Sequence, residues 1–167
     1  LPIGPIPMPA MPVVPQTQIP YLPGTQCLLP QALKPTPSCQ ASANGSKALS
    51  NPEYQARARE MMNSSLRSPW GVAEYGFITD VSTHLIGPLF TSGQARTIDP
   101  SAFRGPTGAP VPLQRSNYSS WVLTHAHPNN TPPSPLGSGD RNNAAYFGWT
   151  IVAIDKAYNA DCSDGGN

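Results

Sequence analysis

Proline placement decides which parts of this chain can be regular. Residues 1–38 carry a proline every few positions, and each one removes a backbone donor and fixes φ near about −65°. That stretch cannot supply a helix or a central strand, so an extended, partly polyproline II arm is expected. The residues between its prolines (Ile3, Ile6, Met8, Met11, Val13, Val14) are too apolar for an ordinary solvated linker. Docking into a groove, on this chain or a neighbour, and a spacer role both stay open. Residues 39–50 (CQASANGSKALS) are small and polar and read as a loop, so the arm runs over 1–50 and the folded domain over 51–167. Four more prolines fall in residues 128–139 and mark a rigid loop inside that domain.

Between these stretches, periodicity takes over. Asn51 is placed to cap a helix, Pro52 suits its first position, and Glu53 suits the positive end of its dipole. Tyr54, Ala58, Met61, Met62 and Leu66 then share one core-facing stripe, with Glu53 and Arg57 as a surface pair. Residues 72–81 read as a strand with Tyr75 and Phe77 on one side and Glu74, Gly76 and Ile78 on the other. Residues 91–117 are rich in Gly, Pro, Ser and Arg and are expected to border a cleft, with Arg96, Arg104 and Arg115 available for a substrate carboxylate. A strand over 121–127 follows, then a helix over 141–147 capped by Ser138 or Asp140 and closed by Gly148. Residues 149–154 (WTIVAI) read as a buried strand, and the polar tail from Asn159 is expected to fray. This order gives a mixed α/β domain, a mixed sheet flanked by helices.

Composition excludes some partners. Only 11% of residues are charged and the net charge is +1, so neither a nucleic-acid surface nor a polybasic membrane patch is expected. No apolar run reaches the roughly 18 residues of a membrane span. No charged segment followed by an apolar one opens the sequence as a signal peptide would. Of the cysteines, Cys27 and Cys39 could close a small loop, either could pair with Cys162, or all three could be thiols.

The chemistry gathers late in the chain. In WVLTHAHP, His125 and His127 point to one face of an extended segment, and Pro128 ends the ladder there. Two imidazoles and one carboxylate, here Asp140, make a common catalytic zinc set that leaves a position open. Glu74 is the candidate base from a separate strand. His84 lacks a partner at ligand spacing and reads as an ordinary hydrogen-bonded histidine.

Glu74, His125-Ala126-His127-Pro128 and a serine close to Asp140 resemble the glutamate, HxHP and S-D signature of the JAMM/MPN zinc metalloprotease superfamily. The likeness covers about residues 70–158 and is greatest to the divergent bacterial members found in secreted toxin and RHS-type proteins. It implies a JAMM/cytidine-deaminase-like fold and Zn2+ held by His125, His127 and Asp140. It also implies zinc-bound water activated by Glu74, and Ser138 steadying the tetrahedral intermediate. Two departures stand out: twelve residues separate His127 from Asp140, and Gly137 occupies the family's serine position, with Ser138 one place later. The resemblance implies a hydrolase acting on a peptide or isopeptide bond, in a protein or a cell-wall peptide. It implies secretion or delivery by a bacterial secretion system, with a larger toxin protein docking the arm and an immunity protein as partners. A zinc-free binding scaffold is the alternative. A zinc deaminase fits poorly, since the PCxxC half of its signature is missing.

Overall fold

A computed structural model describes residues 32–69, 71–128 and 136–165. The expected arm over residues 1–31, and Cys27 with it, lies outside the described residues. Beyond it the chain is more regular than its composition suggests. Residues 34–49 were expected to continue the arm and end in a loop; instead they form β1 (Lys34–Pro35), α1 (Pro37–Ala41) and α2 (Ala43–Leu49). The small residues that suggest a loop are what lets these short helices pack closely. A Cβ on Gly45 would meet the Cys162 sulfur at 2.8 Å, and the Ser42 hydroxyl caps α2 by accepting from Gly45 N at 3.0 Å.

The helix α3 spans Pro52–Leu66 and starts as expected, with the Asn51 side chain accepting from Glu53 N at 2.9 Å. Its buried face is Tyr54, Ala58, Met61, Met62 and Ser65, while Leu66 is 44% exposed. Eleven residues complete about three turns, so Ser65 rather than Leu66 falls beneath Tyr54. Arg57 pairs with Glu60 at 2.9 Å, not with Glu53. Then come β2 (Tyr75–Asp80), β3 (Leu85–Ile86), β4 (Phe90–Thr91), β5 (Trp121–His127), α4 (Ser138–Phe147), β6 (Thr150–Asp155) and β7 (Asn159–Ser163).

The sheet runs β1-β7-β6-β5-β2-β3, with β4 also on β2. Pairing is parallel for β5–β6 and β1–β7 and antiparallel elsewhere. The parallel β5–β6 pair needs a crossover, which α4 supplies. Side chains alternate between two cores. Phe77, Val122, Val152 and Ile154 join Tyr54, Met61 and Met62 on one face; Ile78, Leu123, Ile151 and Ala153 join Phe103, Ala144 and Phe147 on the other. Among the described residues no helix is long and apolar enough to cross a membrane.

The described part of the tail forms a paired strand, Asn159–Ser163, where fraying was expected. Ala160 and Cys162 are buried, and β7 pairs with β6 through Ile154↔Ala160 and Val152↔Cys162. A disulfide joins Cys162 to Cys39 across 123 residues of sequence, settling one of the pairings left open. Polarity misled here because Asp161 has internal partners. Its carboxylate accepts from Thr36 Oγ1 at 3.1 Å, from Ser38 Oγ, and from Leu136 N at 3.0 Å.

Candidate metal centre

The site forms where β5 ends. Its period-two alternation puts His125 and His127 on the α4 side of the sheet, on the face that buries Leu123. The register pairs Gly76 with His125 and Ile78 with Leu123, so Glu74, two residues beyond the end of that ladder, comes level with His127. A Cβ on Gly76 would lie 2.8 Å from Thr124 O and 3.1 Å from the Phe90 ring, so only glycine fits between the glutamate and the strand.

The helix α4 brings Asp140. Expected as a cap at the helix edge, it sits in the first turn, with Gly137 as N-cap and Asp140 Oδ2 accepting from Gly137 N at 3.1 Å. Negative charge is favoured there by the dipole. Gly148 closes the helix at φ 65°, donating to Ala144 O at 2.8 Å. Because β5 and β6 are parallel, the crossover starts at the carboxyl end of β5, beside both imidazoles.

The three side chains converge. His125 Nε2 is 2.8 Å from His127 Nε2 and 3.1 Å from Asp140 Oδ1, and His127 Nε2 is 3.7 Å from Asp140 Oδ2. These separations bracket the about 3.3 Å edge of a tetrahedron with bonds of about 2.0–2.1 Å, the range for zinc with imidazole and carboxylate. Two nitrogens and an oxygen suit a borderline divalent cation. The His125–His127–Asp140 cluster, mostly buried, can therefore hold a metal ion. His125 Nδ1 is buried without a hydrogen bond of good geometry, though the Val152 backbone lies close enough to favour the charged ring. That leaves Nε2 as the nitrogen turned to the cluster.

Burial by itself would lower the pKa of His125, but the hydrogen bond and charge of Asp140, with Glu74 behind it, raise it above the ordinary value. Burial, reinforced by His125, lowers His127 to about 4. Burial opposes ionisation of Asp140 as well, yet His125 and the Gly137 amide hold it at about 2. Glu74 goes the other way: burial lifts it from 4.5 to about 7 against the pull of His125.

Glu74, His125, His127 and Asp140 line one cleft of about 470 Å³. Ser138 does not join them; it is exposed at the first position of α4 and is absent from the cleft wall, which Gly137 and Gly139 line instead. Asn143 does line it and was missed. It stands three residues after Asp140 on the same helix, so the spacing that brings i and i+3 to one face was the available signal. The segment after β4 contributes Arg96, Ile98 and Phe103, as expected of a cleft border; Arg104 and Arg115 do not reach the cleft. His84 is exposed in the β2–β3 turn, outside the cluster.

Compared with protein-family models, with curated proteins and with solved structures, the chain has no match.

Proposed function

We propose that this chain is a zinc-dependent hydrolase of peptide or isopeptide bonds, of the JAMM/MPN type. One observation carries this: Glu74, buried just ahead of β2, shares a cleft with a His–His–Asp cluster whose donor spacing suits zinc. His125, His127 and Asp140 would hold the ion. When bound, zinc supplies Lewis acidity to a carbonyl and makes water acidic near neutral pH. Glu74 would be the carboxylate that takes a proton from water and returns it to the leaving amine. Asn143, which lines the cleft where Ser138 does not, would be the side chain to donate a hydrogen bond to the developing oxyanion. Ile98, Phe103, Leu123 and Ile151 give the cleft an apolar lining that limits water.

The Cys39–Cys162 disulfide favours an oxidising compartment, which agrees with a secreted bacterial effector or toxin-processing domain. The proline-rich arm would dock a larger toxin or secretion protein, and an immunity protein would be a natural partner. The exposed position of Ser138 favours a second reading, a non-catalytic scaffold that has lost the family's helper serine. Metal analysis of protein purified without added zinc, followed by peptide hydrolysis with wild type and Glu74→Gln, separates the two. A hydrolase carries one equivalent of zinc and loses cleavage, but not zinc, in the variant. Absence of bound metal sinks the enzyme and leaves the scaffold.

A further inference from the structure

Three arginines in residues 91–117 are candidates for meeting an anionic group, and their surroundings separate them. Arg104 is occupied: its Nη1 donates to Ser101 O at 3.2 Å and to Phe103 O at 2.8 Å, fixing the turn at Pro100–Ala102. Arg115 lines a different depression, with Asn117 and Asp164. Arg96 lines the cleft of the metal cluster, is exposed, and makes no hydrogen bond or ion pair among the described residues. It shares that cleft with Glu74 and Asp140, yet neither carboxylate pairs with it. Asp140 is engaged by both histidines and by the Gly137 amide. A free guanidinium opening onto a cleft is a ready partner for a planar oxyanion, which it binds in two parallel hydrogen bonds. In the same cleft Ile98 offers a partly exposed apolar surface, with Phe103, Leu123 and Ile151 buried beneath the cleft floor.

We propose, resting on the hydrolase assignment above, that Arg96 is a specificity-determining residue. The substrate is a peptide that presents a carboxylate to Arg96 and an apolar side chain to Ile98. The carboxylate has two sources, a free C-terminus or an acidic side chain, and the recognising chemistry is the same. A cleft of about 470 Å³ accommodates a few residues rather than a folded partner.

The test is calorimetric binding to the full chain carrying Glu74→Gln, with zinc added, so that binding is read without turnover. Three peptides are compared: N-acetyl-Ala-Leu-Ala with a free C-terminus, its amide, and N-acetyl-Ala-Leu-Glu amide. At least one acidic peptide should bind about tenfold more tightly than the neutral amide. The advantage should collapse to within about twofold on adding Arg96→Ala, survive in part in Arg96→Lys, and shrink at high salt because the pair is exposed. Preference for the first peptide identifies the C-terminus as the source; preference for the third identifies the side chain. Equal binding of all three, no binding, or a preference that persists in Arg96→Ala overturns the assignment. Hydrolysis of the same peptides by zinc-loaded protein with native Glu74 is scored separately. An Arg96-dependent binding preference without cleavage means the hydrolase assignment has failed and carboxylate recognition stands. Cleavage with no Arg96-dependent preference means the reverse.

Discussion

Replacing Glu74 by glutamine is expected to stabilise the metal-free protein, and only above a defined pH. Burial keeps the Glu74 carboxyl neutral up to about pH 7, against an ordinary 4.5. Between those values the folded protein binds more protons than the unfolded chain, so the free energy of unfolding falls as pH rises. The stability this group contributes is fully present below the unfolded value and lost as pH passes the folded one. At about 1.4 kcal/mol per tenfold change in proton affinity, the loss is about 3 kcal/mol. Glutamine has nearly the same shape and no charge to desolvate. The hydrogen bonds that fix this residue, Glu74 N to Gln94 O at 2.8 Å and Thr91 Oγ1 to Glu74 O at 2.6 Å, involve its backbone and survive the change. At roughly 2–4 °C per kcal/mol for a chain of this size, Glu74→Gln should melt roughly 6–12 °C above wild type near pH 8, and level with it near pH 4. Thermal melts in EDTA across that range read the difference directly. Saturating zinc should shrink it, because a nearby cation favours the carboxylate. An equal difference at both ends of the range, or a variant that melts lower near pH 8, would refute burial as the origin of the shift.

Other perturbations address the remaining parts. Asn143→Ala should lower kcat by about 10²–10³ while leaving zinc content and KM in place, the pattern of a lost oxyanion donor; unchanged kcat removes Asn143 from the chemistry. Asp161→Asn should weaken zinc binding by about tenfold, as loss of supporting groups does elsewhere, because Asp161 holds the Leu136 amide just ahead of Asp140; competition with a fluorescent chelator reads it. Cys39→Ser should cost about 2–5 kcal/mol in chemical denaturation, and hydrogen exchange should show α1 and β7 opening first.

The parts of the fold that could be read from sequence are those where one local rule acts alone. Asn51, Pro52 and Gly148 act through the backbone beside them, and each stands where capping chemistry puts it. Alternation around His125 and around Glu74 set their faces correctly, because successive side chains of an extended chain point to opposite sides of the sheet. The misreadings share a different cause. Residues 39–50 and 159–163 are polar or small, and their order comes from each other: Cys39 bonds to Cys162, Asp161 accepts from Ser38, and Ser42 donates to Asp164 at 2.7 Å. Contacts between positions more than 120 apart leave no trace in either segment alone. The candidate site shows the same division. The His125–His127 spacing is local and was visible, while the separation of Arg96 from Arg104 and Arg115 depends on which carbonyls each guanidinium meets in the folded chain.

The donor cluster also makes a sharp claim about protons. Two Nε2 atoms 2.8 Å apart cannot both present lone pairs to one another, nor both present hydrogens. With His125 raised and His127 lowered to about 4, a proton held between the two rings belongs on His125 Nε2. That proton is shared between Asp140 Oδ1 and the His127 lone pair. It occupies the place a cation would take, so zinc can bind only by expelling it. Where His125 is protonated, apparent zinc affinity should therefore fall as pH falls, and zinc binding should release the His125 proton in addition to any that Glu74 gives up; Glu74→Gln removes the second contribution. Calorimetry in buffers of different ionisation enthalpy counts the protons, and chelator competition across pH gives the slope. A flat affinity with no proton released under mildly acidic conditions would mean that His125 does not offer Nε2 to the ion, and the proposed ligand set would have to be abandoned.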